Sequence, residues 1–271
     1  AVSWNVGSRC VRRRNRHGQS PDRVHRIRMR TAAIIQARMG SSRLPGKVLK
    51  HLGGATVLSN VVQRVRQSKL IDDVVVATTV EPEDTNILQE CENNGVPVFR
   101  GNTNDVLDRY YRAAEHFEIE TIVRITADCP LIDAEIIDET VRAFITEGAD
   151  YASNVLKRTY PRGLDTEVFC YGALQRAWCN ANIEYERVHV TPYIYSHPEQ
   201  FYLWSVEGDQ DLSAYRWTLD TPEDWELLRR LYDHFSPGTQ FSWRAVADLM
   251  QQAPELALIN AGVRQKELHE R

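Results

Sequence analysis

Residues 34–47 read IIQARMGSSRLPGK. The apolar run, which begins in TAAIIQA at 31–37, passes into small residues, two glycines and three cations with no acid among them. A continuous apolar run of that length reads as a strand buried on both faces. The basic loop then leaves the carboxyl end of that strand, which is where open α/β sheets bind their ligands.

Spacing decides which phosphate loop this is not. A P-loop needs G-x-x-x-x-G-K-[ST], but here five residues separate Gly40 from Gly46, and Val48 follows Lys47. The hydroxyl that would hold magnesium in a P-loop is therefore missing, and the G-x-G-x-x-G dinucleotide fingerprint is absent. What remains is still anion chemistry. Arg38, Arg43 and Lys47 bring three charges, Gly40 lets the backbone approach a ligand, and Ser41 and Ser42 add hydroxyl and amide donors. A triphosphate held this way calls for a metal elsewhere. Asp128, after TIVRITA, and Asp220, after YRWTL, each follow an apolar run, and Mg²⁺ needs only one or two carboxylates besides phosphates and water. A helix cap is the alternative role for Asp128. For Asp220 that alternative is weaker, because Thr221 already stands at the cap position.

From residue 31 onward, short apolar runs alternate with amphipathic stretches, the pattern of βαβ units on a mostly parallel sheet. Strands are expected at 31–37, 73–79, 96–101 and 121–127, and helices at 57–68, 83–95, 105–117 and 134–148. After Gly148 the texture becomes β-like (DYASNV, DTEVFCY, QFYLWSVEG), broken by YPRGLD and a helix over 182–196. This predicts an antiparallel or mixed second half. YRWTLDTPEDWELLRRLYDHF (215–235) reads as strand then helix, with Thr221 as N-cap, Pro222 at the first position and Asp224 closing a capping box. A last helix is expected over 242–252.

The chain has 271 residues, enough for one large α/β domain with a sizeable core. Its net charge of −4 hides an asymmetry: residues 1–30 hold nine arginines against Asp22, leaving 24 cations against 36 acids in the remainder. The 1–30 segment has too little apolar surface to fold and is expected to be a disordered basic extension. Translation starting at Met29 is the preferred explanation, and a nucleic-acid or organelle-targeting arm the alternative. The acidic remainder argues against nucleic acid as the main partner. No apolar run is long enough to span a bilayer, so no membrane partner is expected. Five scattered cysteines with no C-x-x-C spacing fit a reducing cytoplasm.

IIQARMGSSRLPGKVL, FRGNTNDVLDRYYRAA, RITADCPLID, YPRGLDTEVF, HVTPYIY and YRWTLDTPEDWELL together resemble the cytidylyltransferase-like family that includes spore coat polysaccharide biosynthesis protein F. The likeness extends, more distantly, to CMP-Kdo and CMP-acylneuraminate synthetases. It implies a glycosyltransferase-A-like, Rossmann-like nucleotidyltransferase fold over 31–271. It also implies the Mg²⁺-dependent reaction of CTP with a sugar to give a CMP-sugar and pyrophosphate, for surface polysaccharide biosynthesis, in a homodimer. By this resemblance Arg38, Arg43 and Lys47 hold the triphosphate, and Asp128 and Asp220 the metal. One position departs: Cys129 stands where the Kdo enzymes carry a glutamate.

Other candidates are open to two readings. Arg162, Asp165 and Glu167 around the YPRGLDTE turn serve either sugar recognition or a solvated hairpin. Arg100 and Asp105 border the base or ribose, or Asn104 or Asp105 only caps a helix. His189 reads more simply as packed than as a base. A glycosyltransferase using a nucleotide-sugar donor would place its metal on Asp209 and Asp211 of EGDQDLS, which reads otherwise as a solvated turn. A non-catalytic nucleotide- or sugar-binding protein of the same pathway is the third possibility.

Overall fold

A computed structural model describes residues 30–235 and 240–265. The basic extension therefore lies, but for Arg30, outside the described residues. Strand β1 (Thr31–Gln36) runs into the basic loop, which closes on a short hairpin of β2 (His51–Leu52) and β3 (Ala55–Thr56). Helix α1 (Val57–Val65) follows at once, with Thr56 Oγ1 accepting from Ser59 N at its start. The alternation then continues as expected through β4 (Asp73–Thr79), α2 (Thr85–Asn93), β5 (Val98–Gly101), α3 (Val106–His116), β6 (Thr121–Thr126) and α4 (Ala134–Glu147). The second half contains β7 (Tyr151–Ser153), β8 (Glu167–Cys170), α5 (Tyr171–Asn180), α6 (Glu184–His189), α7 (Pro192–Tyr195), β9 (Leu203–Ser205), α8 (Pro222–His234) and α9 (Trp243–Gln252).

Seven strands form one sheet in the order β5-β4-β1-β6-β8-β7-β9. β5, β4, β1 and β6 are parallel; β8 runs antiparallel to both β6 and β7, and β9 pairs parallel to β7. The fold is thus α/β, with a mostly parallel sheet and a mixed second half. Side-chain alternation buries both faces of β1. Ala33 and Ile35 pack under α1, α2 and α4, while Ala32 and Ile34 pack on α3 and α5. A third apolar cluster gathers Trp217 and Leu219 with α8 and α9 beside Leu131 and Ile136. From β1 the chain builds outward to β4 and β5, then crosses back to β6. The strand order therefore reverses between β1 and β6, where a crevice opens.

Three expectations need correction. YRWTLD is no strand of the sheet; it is an extended segment with an isolated bridge between Arg162 and Arg216. The single helix expected over 182–196 is two, because Val190 takes φ 74 and Pro192 starts the second. Helix α5 was not foreseen, since its N-cap position, Cys170, makes no side-chain cap hydrogen bond. Among the described residues no helix is long and apolar enough to cross a membrane.

Candidate active site

The loop after β1 is rooted by a buried acid. Asp84 accepts from Met39 N at 2.7 Å and also from Thr78 Oγ1, Thr79 N and Thr79 Oγ1, tying the loop to the end of β4. Met39 O in turn accepts from Ser41 N and Gly46 N, which folds the loop back on itself. Gly46, at φ 66, makes the left-handed turn that a side chain would strain. Lys47 follows in a single 3₁₀ turn and is buried.

Lys47 joins three parts of the chain. Its ammonium donates to Asp128 Oδ2 at 2.6 Å, to Asp220 Oδ1 at 2.8 Å and to Leu219 O at 2.7 Å. Asp128 stands just beyond β6. Asp220 is brought to it because Leu219 N donates to Asp128 O at 2.8 Å. The same extended segment is held on its other side by Trp217 N donating to Arg162 O at 2.6 Å. Gly163 permits that approach: at φ +105, a Cβ there would lie 2.6 Å from Trp217 C.

The remaining carboxylate oxygens are also held. Thr126 Oγ1 donates to Asp128 Oδ1 at 2.6 Å, and Arg216 Nη2 to Asp220 Oδ2 at 2.7 Å, with Arg43 Nη2 at 3.2 Å. Arg216 is itself fixed by Asp224, which is fully buried and completes the capping box of α8. Burial alone would raise the Asp128 pKa, but the Lys47 charge and the Lys47 and Thr126 hydrogen bonds hold it at about 2. Burial alone would lower that of Lys47, and the two carboxylates overcome this to raise it. Beside them Cys129 is a buried thiol kept neutral, its pKa pushed well up by burial and then by the Asp128 charge.

A cleft of about 920 Å³ opens over these groups. Of the residues singled out from sequence, Arg38, Gly40, Ser41, Ser42, Arg43, Lys47, Asp128, Arg162, Asp165, Glu167, His189 and Asp220 line it. Arg38 is exposed and free of hydrogen bonds and ion pairs among the described residues. Asp165 takes a bidentate pair from Arg158 at 2.6 and 2.9 Å. Glu167 is buried and spoken for, bonded to Arg124, to Tyr151 Oη at 2.8 Å and to Thr191 Oγ1 at 2.5 Å.

Arg100 and Asp105 are not brought to the cleft. Arg100 donates to Thr79 O at 2.9 Å and Glu81 O at 3.0 Å, satisfying carbonyls at the end of β4. Asp105 caps α3 through Asp108 N at 2.9 Å and pairs with Arg187 at 2.5 Å. Asp209 and Asp211 are exposed and lie away from the cleft lining.

Three arginines lining the cleft were missed: Arg109, Arg124 and Arg158. Two had a signal. Arg124 interrupts the apolar strand TIVRITA, and Arg109 falls on the apolar stripe of α3, between Val106 and Ala113.

The site can be tested for a divalent cation. One oxygen each of Asp128 and Asp220, from different segments, converges on a single positive atom, the Lys47 ammonium. That geometry fits Mg²⁺, which takes few protein ligands and completes its shell with phosphates and water. Among the described residues no cluster of three or more His, Cys, Asp or Glu residues exists, so a closed all-protein site of the zinc type is not formed by them.

The profile of the family described as Cytidylyltransferase matches residues 32–252. An uncharacterized protein, MJ1063, of Methanocaldococcus jannaschii is 41% identical over 244 residues, covering 89% of this chain and 99% of its own length. The spore coat polysaccharide biosynthesis protein SpsF of Bacillus subtilis is 36% identical over 231 residues, 83% of this chain and 95% of that one. The solved structure of a cytidylyltransferase from Leptospira borgpetersenii superposes with a TM-score of 0.82 at 36% identity, covering 88% of this chain and 99% of the other.

Proposed function

The chain belongs to the cytidylyltransferase family and is a nucleotidyltransferase, and from that premise we propose that it joins CTP to a sugar, forming a CMP-sugar and pyrophosphate for a surface polysaccharide. One observation carries the reading: the loop cation Lys47 meets Asp128 and Asp220 at the point where the strand order reverses. A phosphate-holding loop and a metal-holding pair of acids thereby share one crevice.

The reaction is an in-line displacement. A sugar hydroxyl oxygen forms a bond to the α-phosphorus as the bond from that phosphorus to the bridging oxygen breaks; pyrophosphate departs with the electron pair, and the hydroxyl proton passes to solvent. The protein's work is positioning and charge neutralisation. Arg38 and Arg43 hold the β- and γ-phosphates as charge builds on the leaving group, and Lys47, whose three N–H groups are spent on Asp128, Asp220 and Leu219 O, fixes the two acids beside them. Gly40, Ser41 and Ser42 present backbone and hydroxyl donors to the phosphate chain. Asp128 and Asp220 would hold Mg²⁺, which when bound neutralises phosphoryl oxygens and acidifies the attacking hydroxyl. Arg158 and Arg162, which line the cleft together with Asp165 and His189, would meet the sugar.

Thermal-shift titration with CTP, UTP, ATP and GTP in Mg²⁺, followed by pyrophosphate release over a panel of acidic and amino sugars, tests the proposal. CTP with one of the sugars should release pyrophosphate, and Asp128→Asn should abolish that release. No shift with any triphosphate sinks the reading. Light scattering belongs to the same test, since a homodimer is part of the proposal.

A further inference from the structure

A buried charge is costly unless it is paired, and four of the cations that line the cleft pair with an acid. Lys47 and Arg43 meet Asp220, Arg124 meets Glu167, and Arg158 meets Asp165. Arg109 has none. It is only 2% exposed, yet it lines the cleft. Its Nη1 donates to Asn102 O at 2.7 Å, while its buried Nε has no hydrogen-bond partner. The spent nitrogen is thus on one side of the guanidinium, and the Nε–Nη2 edge, the side that grips a planar pair of acceptors, is unused.

The placement of this side chain is built in. A Cβ on Gly101 would come within 3.0 Å of Arg109 Cγ and 2.9 Å of Phe99 Cε1, so glycine at the end of β5 leaves the arginine stem its room. Burial, rather than any neighbour, is the main influence on the guanidinium, and it disfavours the charged form. Arg109 and its β5 neighbour Gly101 stand on the β4–β5 side of the crevice and Asp128 on the β6 side, so a nucleotide whose phosphates meet the acids has room to lay its nucleoside toward Arg109, Thr103 and Asn104.

We propose that Arg109 is the base-reading residue, with its Nε–H and Nη2–H donating to N3 and O2 of cytosine. The proposal rests on the nucleotide reading of the cleft given above. Cytosine offers two adjacent acceptors along that edge. Uracil offers O2 beside an N3–H donor, which sets donor against donor. A planar two-donor fork against that edge is a recognised source of base discrimination, about 10- to 100-fold for a good bidentate pair. Arg38, exposed and with no acid of its own, is left for the phosphates.

The first measurement uses the unaltered protein. With Mg²⁺ and the sugar that supports turnover, kcat/KM for pyrophosphate release should fall about 10- to 100-fold from CTP to UTP and to 3-deaza-CTP, which lacks the N3 acceptor. Cytidine, having no phosphate, should compete with CTP more strongly than uridine does. Arg109→Lys keeps the charge but loses the fork. It should bring the CTP-to-UTP ratio toward one and abolish competition by cytidine. Equal use of CTP and 3-deaza-CTP by the unaltered protein overturns the assignment, and needs no variant to fold. So does an Arg109→Lys protein that loses CTP and UTP in equal proportion while cytidine still competes, since Arg109 would then be a phosphate cation. If the unaltered protein binds no triphosphate at all, the nucleotide reading itself falls, and this proposal falls with it.

Discussion

At the scale of single residues, Lys47, Asp128 and Asp220 form a unit whose members lie 81 and 173 positions apart along the chain. Removing one leaves the others in a state that burial makes unfavourable. Lys47→Met is expected to leave Asp128 without its cation beside an Asp220 still paired with Arg216 and Arg43, to raise the Asp128 pKa and to lower kcat/KM for CTP at least ~100-fold, a loss in line with removing one preorganised charge. NMR titration of the carboxylate and the pyrophosphate assay read the two effects separately. The linkage has a definite sign. Asp128 is depressed to about 2 in the folded protein. Its contribution to stability is therefore complete above the unfolded carboxylate value near ~4, and is lost as pH falls from there toward the folded value. Urea melts between pH 5 and pH 2 should show this loss in the unaltered protein and a flatter profile in Asp128→Asn, and identical profiles would remove the pair from the account. The members of this unit are legible in the sequence, because a glycine-rich basic loop and acids at the ends of apolar runs announce themselves by position, but the pairing of Lys47 with both acids is not. Arg100 and Asp105 stay ambiguous in the sequence, which does not show which backbone carbonyls or helix amides need a partner. Arg158 sits in a loop where nothing in the pattern pointed to Asp165.

At the scale of elements, the site depends on how two irregular segments are anchored. The loop after β1 hangs on Asp84, which is 1% exposed and accepts from four donors. Asp84→Ala orphans all of them, including the Met39 amide at the root of the loop. A loss of about 2–4 kcal/mol is expected in urea denaturation, with a rise in KM for CTP, because unsatisfied buried donors carry their full desolvation cost. The second anchor is the contact of the YPRGLD turn with the YRWTLD segment. Gly163→Ala places a methyl group against the Trp217 backbone at a φ of +105, which alanine adopts only under strain. Its cost should be of similar size, and the rise in melting temperature on adding CTP should shrink because Asp220 rides on that segment. The YRWTLD run looked like a strand because its residues alternate and bury as a strand's do. What it lacks is a neighbouring edge; its hydrogen bonds go instead to Asp128 O and Arg162 O. The break at Val190 escaped notice for the opposite reason, since a β-branched residue at positive φ is set by packing on both sides rather than by its own preference.

At the scale of the whole molecule, the parallel half of the sheet carries the loop and Asp128, while the third apolar cluster carries Asp220. The α/β alternation, readable from periodicity alone, predicts the first of these frames. The second is assembled from contacts between residues 52 and 250, which no local pattern reveals. Asn260 closes it, donating to Arg216 O and Asp224 Oδ1, both at 2.9 Å, so the network behind Asp220 reaches into the last described segment. Two substitutions of equal chemical severity can separate these frames. Leu228→Ala in α8 and Ile137→Ala in α4 each remove a fully buried branched side chain, one from the cluster behind Asp220 and one from the sheet face under α1 and α2. Each should cost about 2–5 kcal/mol in stability. Ligand binding adds stability in proportion to ln(1 + [L]/Kd), so the rise in melting temperature on adding CTP with Mg²⁺ reports the integrity of the site independently of that baseline loss. The rise should persist in Ile137→Ala and shrink in Leu228→Ala, whose cavity loosens the support of α8 and of the residue that precedes it by two positions. Equal rises in both variants would show that Asp220 is positioned by its hydrogen bonds to Lys47 and Arg216 alone, and that the third cluster is scaffold without influence on the part of the site that Asp220 forms.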